Sequence, residues 1–98
     1  MAGIFRSIVK ARIIKSLQRG TITIAAGANN TQTATITSVD TAKSLLWHLG
    51  VETSGGAGGD PSAVRLTLTN ATTITATRAG ADTNTPASVV AYQVAEYY

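Results

Sequence analysis

Apolar and hydroxyl side chains alternate along residues 64–77, and the pair Asn70-Ala71 interrupts the alternation at its centre. Successive side chains of a β-strand point to opposite faces, so the pattern predicts two strands that each have one apolar face and one polar face. Asparagine favours turns, which predicts a β-hairpin whose apolar side packs on a second sheet. The inward positions are Val64, Leu66 and Leu68 before the turn, and Thr72, Ile74 and Ala76 after it.

Four further segments are predicted to be strands, with turn signals at residues 27–30 and 40–42 between the first three of them. Gly20 predicts a kink or bulge before the first of these segments. The predicted strands are residues 21–25, 31–39, 43–49 and 87–98, with Ala34 and Ile36 inward in the second and Val90, Tyr92 and Val94 on one face of the last.

In the segment 43–49, Leu45, Trp47 and Leu49 share one face. We expect this face to join the core, with Trp47 as its one large aromatic side chain. Helix is the competing prediction there, because Asp40 can act as an N-cap.

The segments together predict an all-β fold, a small antiparallel β-sandwich of about six strands with an extended basic N-terminal arm. Residues 50–61 are predicted to be a long, exposed loop, and residues 78–86 a second polar loop. We divide the chain into an arm at residues 1–19 and a sandwich domain at residues 20–98; a first strand that begins near residue 13 is the alternative. No apolar run reaches the roughly 18 residues that a membrane span requires.

The net charge of +3 is unevenly distributed, because the first nineteen residues contain five basic residues and no acid. The rest of the chain therefore has a net charge of −2 by subtraction. The basic residues are Arg6, Lys10, Arg12, Lys15 and Arg19, interleaved with apolar residues that include Ile4, Phe5, Ile8 and Val9.

Nucleic acid, a membrane surface and another protein are the candidate partners of this arm. Nucleic acid would be expected to select basic residues among Gly, Ser or stacking aromatics, so no sequence-specific nucleic acid is expected. A membrane surface would select a helix with a segregated apolar face, which the interleaved pattern lacks, so no membrane is expected. Docking onto another protein uses both the aliphatic and the basic side chains and is favoured; a simple first strand with solvated basic residues stays open. The candidate docking residues are Ile4, Phe5, Arg6, Ile8, Val9, Lys10, Arg12, Lys15 and Arg19.

The chain lacks cysteine and has one histidine, His48, whose neighbours in the sequence offer no catalytic or metal-binding partner. We interpret His48 as a structural histidine. The spacing of the acids matches no calcium loop and no catalytic arrangement, so we predict a non-enzymatic protein with no catalytic residue, cofactor or metal site. The acids considered are Glu52, Asp60, Asp82 and Glu96.

Several stretches carry a family resemblance: residues 13–24 (Ile-Ile-Lys-Ser-Leu-Gln-Arg-Gly-Thr-Ile-Thr-Ile), 33–37 (Thr-Ala-Thr-Ile-Thr), 40–44 (Asp-Thr-Ala-Lys-Ser), the hairpin at 68–78, and 91–97 (Ala-Tyr-Gln-Val-Ala-Glu-Tyr). With these stretches the chain resembles small virion proteins of tailed bacteriophages. Some members of this group are six-stranded, lectin-like sandwiches that assemble as trimers.

The resemblance implies a structural protein located in the virion and assembled in the host cytoplasm. The implied role is capsid decoration (cement), in which a homotrimer docks through its arm on the major capsid protein or other virion proteins. The alternative is a tail, collar or baseplate accessory protein that binds host-surface glycans through the loops at residues 50–61 and 78–86.

Overall fold

The computed structural model of the chain describes residues 13–53 and 61–98. The all-β prediction is confirmed, because the described residues form six strands and one 3-10 turn at Thr41–Lys43. The strands are β1 (Ile14–Ile24), β2 (Thr31–Thr35), β3 (Ser44–Thr53), β4 (Val64–Asn70), β5 (Thr73–Arg78) and β6 (Ser88–Tyr97).

The strands form two antiparallel sheets of three strands each. Sheet A has the order β1-β6-β3, and sheet B has the order β2-β5-β4, so β6 and β5 are the central strands. The core lies between the two sheets and is built from Ile22, Ile24, Ile36, Val39, Val64, Ile74, Ala76, Val90, Tyr92 and Val94.

The predicted hairpin is confirmed as β4 and β5, with Leu66 opposite Ala76 and Leu68 opposite Ile74. Asn70 stabilises the turn because its Oδ1 accepts a hydrogen bond from the backbone N–H of Thr72 at 2.9 Å. The outward side of sheet B is a threonine face, formed by Thr31, Thr33, Thr35, Thr67, Thr69, Thr73, Thr75 and Thr77.

Strand β1 is continuous through Gly20, so the predicted kink is wrong. Gly20 lies opposite Tyr92 in the register of β1 and β6. A Cβ atom at residue 20 would lie 2.5 Å from the Tyr92 hydroxyl oxygen. The glycine therefore provides space for a buried tyrosine ring.

Two other boundaries differ from the sequence prediction. Strand β2 ends at Thr35, and beyond it the Ile36 and Val39 N–H groups donate to the Thr72 and Ala71 carbonyls. Strand β3 continues through residues 50–53, which were predicted to lie in a loop, and a bulge between His48 and Gly50 interrupts its register with β6.

Asp40 does cap a helical turn, but the turn is short. Its Oδ1 accepts a hydrogen bond from the Ala42 N–H at 3.0 Å, and the 3-10 turn ends at Lys43. Strand β3 begins at the next residue, Ser44. The segment 43–49, for which strand and helix were competing predictions, is therefore mainly strand.

Candidate functional site

The apolar residues on one face of β3 point away from the core. Leu45, Trp47 and Leu49 are 52%, 41% and 53% exposed, so the expectation that they enter the core is wrong. Strand β3 carries apolar residues on both faces, and the core instead packs Leu46 and Val51. Because the side-chain period of a strand is two residues, choosing the wrong face assigns every residue of the strand wrongly.

These residues lie in rows across sheet A. One row contains Leu17, Ala95 and Leu45, and the next contains Arg19, Gln93 and Trp47. The central strand contributes small side chains and one amide, whereas the edge strands contribute large side chains. We define the apolar face as Leu17, Arg19, Thr21, Leu45, Trp47, Leu49, Val89, Ala91, Gln93 and Ala95.

The large exposed apolar side chains of the described residues all belong to sheet A or adjoin its ends. Sheet B presents the threonine face instead. Contiguous exposed apolar patches often mark interaction sites. The two sheets thus present outer surfaces of different character. The exposed residues are Ile13, Ile14, Leu17, Leu45, Trp47, Leu49, Tyr97 and Tyr98.

An open cavity of about 300 Å³ lies on the apolar face beside the bulge of β3. Its lining is mostly apolar, with Glu52 as the one ionisable side chain in it. The cavity thus offers room for a side chain of a partner and no group of catalytic residues. Its lining is Thr21, Leu49, Gly50, Val51, Glu52, Val89 and Ala91.

Arg19 leans across the face toward the central strand. Its Nε donates a hydrogen bond to Gln93 Oε1 at 2.6 Å. The arginine side chain only donates, so Gln93 must present its oxygen to Arg19 and turn its NH₂ group away.

The predicted docking residues divide between two regions. Lys15 and Arg19 are exposed residues of β1. The other seven lie outside the described residues: Ile4, Phe5, Arg6, Ile8, Val9, Lys10 and Arg12.

Sequence reasoning did not select the leucines and tryptophan of the apolar face as a docking site. A signal was present, because Leu45, Leu46 and Trp47 place apolar side chains on both faces of one strand. Strands that are apolar on both faces are typical of sheets covered on both sides.

His48 connects the two sheets. Its Nδ1 accepts a hydrogen bond from the Gly50 N–H at 3.2 Å, so its proton lies on Nε2, which is 2.9 Å from the Val64 carbonyl oxygen. Both ring nitrogens are thus used in structural hydrogen bonds.

The acids considered in the sequence are spread over the molecule. Glu52 borders the apolar face, Asp82 lies in the loop that follows β5, and Glu96 is buried near the start of β1. Within residues 13–53 and 61–98, no three metal-binding side chains come together. Asp60 lies outside the described residues. None of the helical residues described here forms a segment of membrane-spanning length.

Arg78 organises the end of the sandwich that carries the loops. It is 1% exposed and is the last residue of β5, although the sequence placed it at the start of a polar loop. Its Nε donates to the Asn29 carbonyl at 2.8 Å, and its other nitrogens donate to the carbonyls of Ala25 and Pro86 at 2.8 and 2.6 Å and to Ser88 Oγ at 2.7 Å. In β5 every second residue is buried, and Arg78 follows Ile74 and Ala76 in this alternation. The sequence therefore contained a signal for the burial of Arg78.

No family model, curated protein or solved structure matches this chain. Its functional interpretation therefore depends on its own residues and surfaces.

Proposed function

We propose that this chain is a non-enzymatic structural protein of a tailed-bacteriophage particle, a capsid decoration protein that assembles as a homotrimer and docks through its N-terminal arm. The observation that carries the docking role is the clustering of large exposed apolar side chains on sheet A. The assignment to a phage particle depends on the sequence resemblance.

The distribution of side-chain size on the apolar face favours three copies over two. Ala91 and Ala95 lie on the central strand, whereas Leu17, Leu45 and Trp47 lie on the edges. Two sheets that stack face to face are separated by a nearly constant distance of about 10 Å, so small residues opposite small residues would leave a void along β6. Three sheets around an axis bring their central strands closest to the axis and leave more space at the corners.

The register of sheet A also suits threefold symmetry. Strands β1 and β3 are both antiparallel to β6, so they run parallel to each other. Rotation about an axis parallel to β6 places β1 of one copy beside β3 of the next with the same rows aligned. Leu17 then contacts Leu45 of the neighbouring copy, and the edges of sheet A are covered.

The same symmetry places all three arms at one end of the trimer. Ile14 pairs with Tyr97 at the arm end of sheet A, whereas the loops organised by Arg78 lie at the opposite end. Three basic arms on one side suit attachment to an acidic surface of the shell, with the loop end directed outward.

The size of the apolar face predicts a reversible trimer. Three strands about 4.8 Å apart, each of about ten residues rising about 3.3 Å, give a flat footprint on the order of 500 Å². Stable interfaces bury roughly 800 Å² per partner. We therefore expect the trimer to dissociate on dilution.

Sedimentation velocity over a range of protein concentrations tests the trimer, with Leu45→Lys as the disrupting variant. A buried ammonium group on the same face as Arg19 has no counter-charge and opposes association, so we expect the variant to remain monomeric where the unchanged chain is trimeric. Thr33→Lys is the matched control, because it places the same group on an exposed edge strand of the threonine face. Equal loss of trimer in both variants contradicts the assignment of the interface.

Quantitative mass spectrometry of purified virions tests the location. A copy number comparable with that of the major capsid protein supports decoration. A low copy number supports the tail, collar or baseplate alternative, and absence from virions contradicts both.

Glycan binding at the loop end is the second candidate function, favoured by the way in which Arg78 holds loops together there. The amide of Asn29 and the carboxylate of Asp82, however, already form hydrogen bonds within their own loops. A glycan array probed with the full chain separates the candidates, because a decoration protein without a glycan site gives no specific signal.

A further inference from the structure

Arg19 is a charged group of the apolar face that lies on the edge strand β1 and reaches toward the central strand β6. An arginine side chain has five N–H donors, and Arg19 uses the one on Nε in its bond to Gln93. The terminal nitrogens of Arg19 have no acceptor within the described part of the chain. The bond to Gln93 draws the guanidinium from the edge strand toward β6.

No described carboxylate is placed to neutralise this charge. Glu52 is opposite Val89, four residues along β6 from Gln93, which corresponds to about 13 Å at the rise of a strand. Glu96 is buried on the other side of sheet A, and Asp40 and Asp82 lie outside the strands.

Closing three apolar faces around an axis would remove Arg19 from water. Strand β6 is then the strand nearest the axis, so the three guanidinium groups converge there with the three Gln93 amides. Burial of unpaired charge is strongly unfavourable, and three like charges also repel one another. The trimer therefore needs a counter-charge at this level of the axis.

We infer that the trimer binds one inorganic oxyanion, of the phosphate or sulfate type, on its threefold axis between three Arg19 guanidinium groups and three Gln93 amides. This inference rests on the proposed trimer. Both side chains present N–H donors, because the Gln93 oxygen is occupied by Arg19 and its NH₂ group is free to turn to the anion. Guanidinium groups bind oxyanions through paired, charge-assisted hydrogen bonds. Ala91, two residues from Gln93 on the same face, is only partly buried, and its small side chain leaves space for the anion.

The test is sedimentation velocity of the full chain with inorganic phosphate or sodium chloride at equal ionic strength, together with calorimetric titration of phosphate. At a phosphate concentration about ten times its Kd, mass action predicts that the trimer association constant rises about tenfold. Calorimetry is expected to give one phosphate bound per three chains. Arg19→Met removes the charge, so this variant is expected to form trimers without phosphate and to show no response to it.

Arg65→Met is the matched control, because Arg65 is exposed on sheet B opposite Thr77. It is expected to respond to phosphate as the unchanged chain does. A trimer that forms equally well with and without phosphate overturns the anion site and leaves the trimer intact. In sodium chloride without phosphate, weaker association of Arg19→Met than of the unchanged chain also overturns the anion site. If the full chain and Arg19→Met are monomeric under all conditions, both the trimer and the anion site are wrong.

Discussion

The guanidinium of Arg78 shows how one residue determines the arrangement of several loops. It is buried, and no carboxylate of the described residues pairs with it; backbone carbonyl dipoles and a serine hydroxyl surround it instead. Ser88 in turn donates to the Pro61 carbonyl at 2.5 Å, which links the start of β6 to the segment before β4. One side chain thus holds together segments that are far apart in the sequence.

We predict that Arg78→Met lowers the free energy of unfolding by about 3 kcal/mol or more, because hydrogen bonds to a charged group contribute about 1.5–3 kcal/mol each and their loss leaves buried carbonyls unpaired. For a domain of this size, 1 kcal/mol corresponds to roughly 4–8 °C in Tm. Differential scanning calorimetry measures the shift.

Arg65→Met serves as the control, since Arg65 is exposed on β4. A shift of Tm for Arg78→Met no larger than for Arg65→Met would mean that the hydrogen bonds of Arg78 contribute little.

In strand β3, the burial of each side chain depends on the face of the sheet to which it points. Its core-facing side carries Leu46 and Val51, and its outward side carries Leu45, Trp47 and Leu49. Hydrophobicity alone does not distinguish the two sides. Pairing with β6 does, because Leu46 lies opposite the buried Val94, whereas Leu45 lies opposite Ala95, which does not belong to the core cluster.

We predict that Leu46→Ala lowers the stability of the monomer by about 2 kcal/mol, since truncating a packed leucine costs about that much or more. Leu45→Ala, one residue away, changes the monomer little because its side chain is 52% exposed.

Urea denaturation at a protein concentration below that of trimer formation measures both. Equal midpoints for the two variants would contradict the assignment of faces in β3.

The whole molecule is a sandwich with two unlike outer surfaces, threonine on sheet B and apolar on sheet A. The arm precedes β1, which is an edge strand of sheet A. The proposed self-association through the apolar face and the proposed attachment through the arm therefore involve different parts of the chain.

We predict that deletion of residues 1–12 leaves a chain that still folds and forms trimers, but no longer joins virions. The deletion leaves every described strand complete, because β1 begins at Ile14, and it removes most of the proposed attachment arm. Sedimentation velocity and virion occupancy measure the two properties. Undiminished occupancy without residues 1–12 would rule out the arm as the attachment.

The sequence by itself determined the class of fold and most of the strands. Period-two alternation is a local property. The hairpin of β4 and β5, and the face shared by Val90, Tyr92 and Val94, could therefore be predicted from neighbouring residues alone. The sequence also indicated that Asp40 can cap a helix, although the capped element is only a single 3-10 turn.

Only the tertiary structure decided which face of β3 is inward, that Arg78 is buried, and that Gly20 lies beneath a tyrosine ring. Each of these depends on a partner distant in the sequence: the pairing of β3 with β6, the loops around Arg78, and Tyr92 opposite Gly20. The alternation of residues along a strand shows whether its two faces differ in polarity or are both apolar. The choice of face is made by the sheet that packs against it, because burial is a property of the assembled layers.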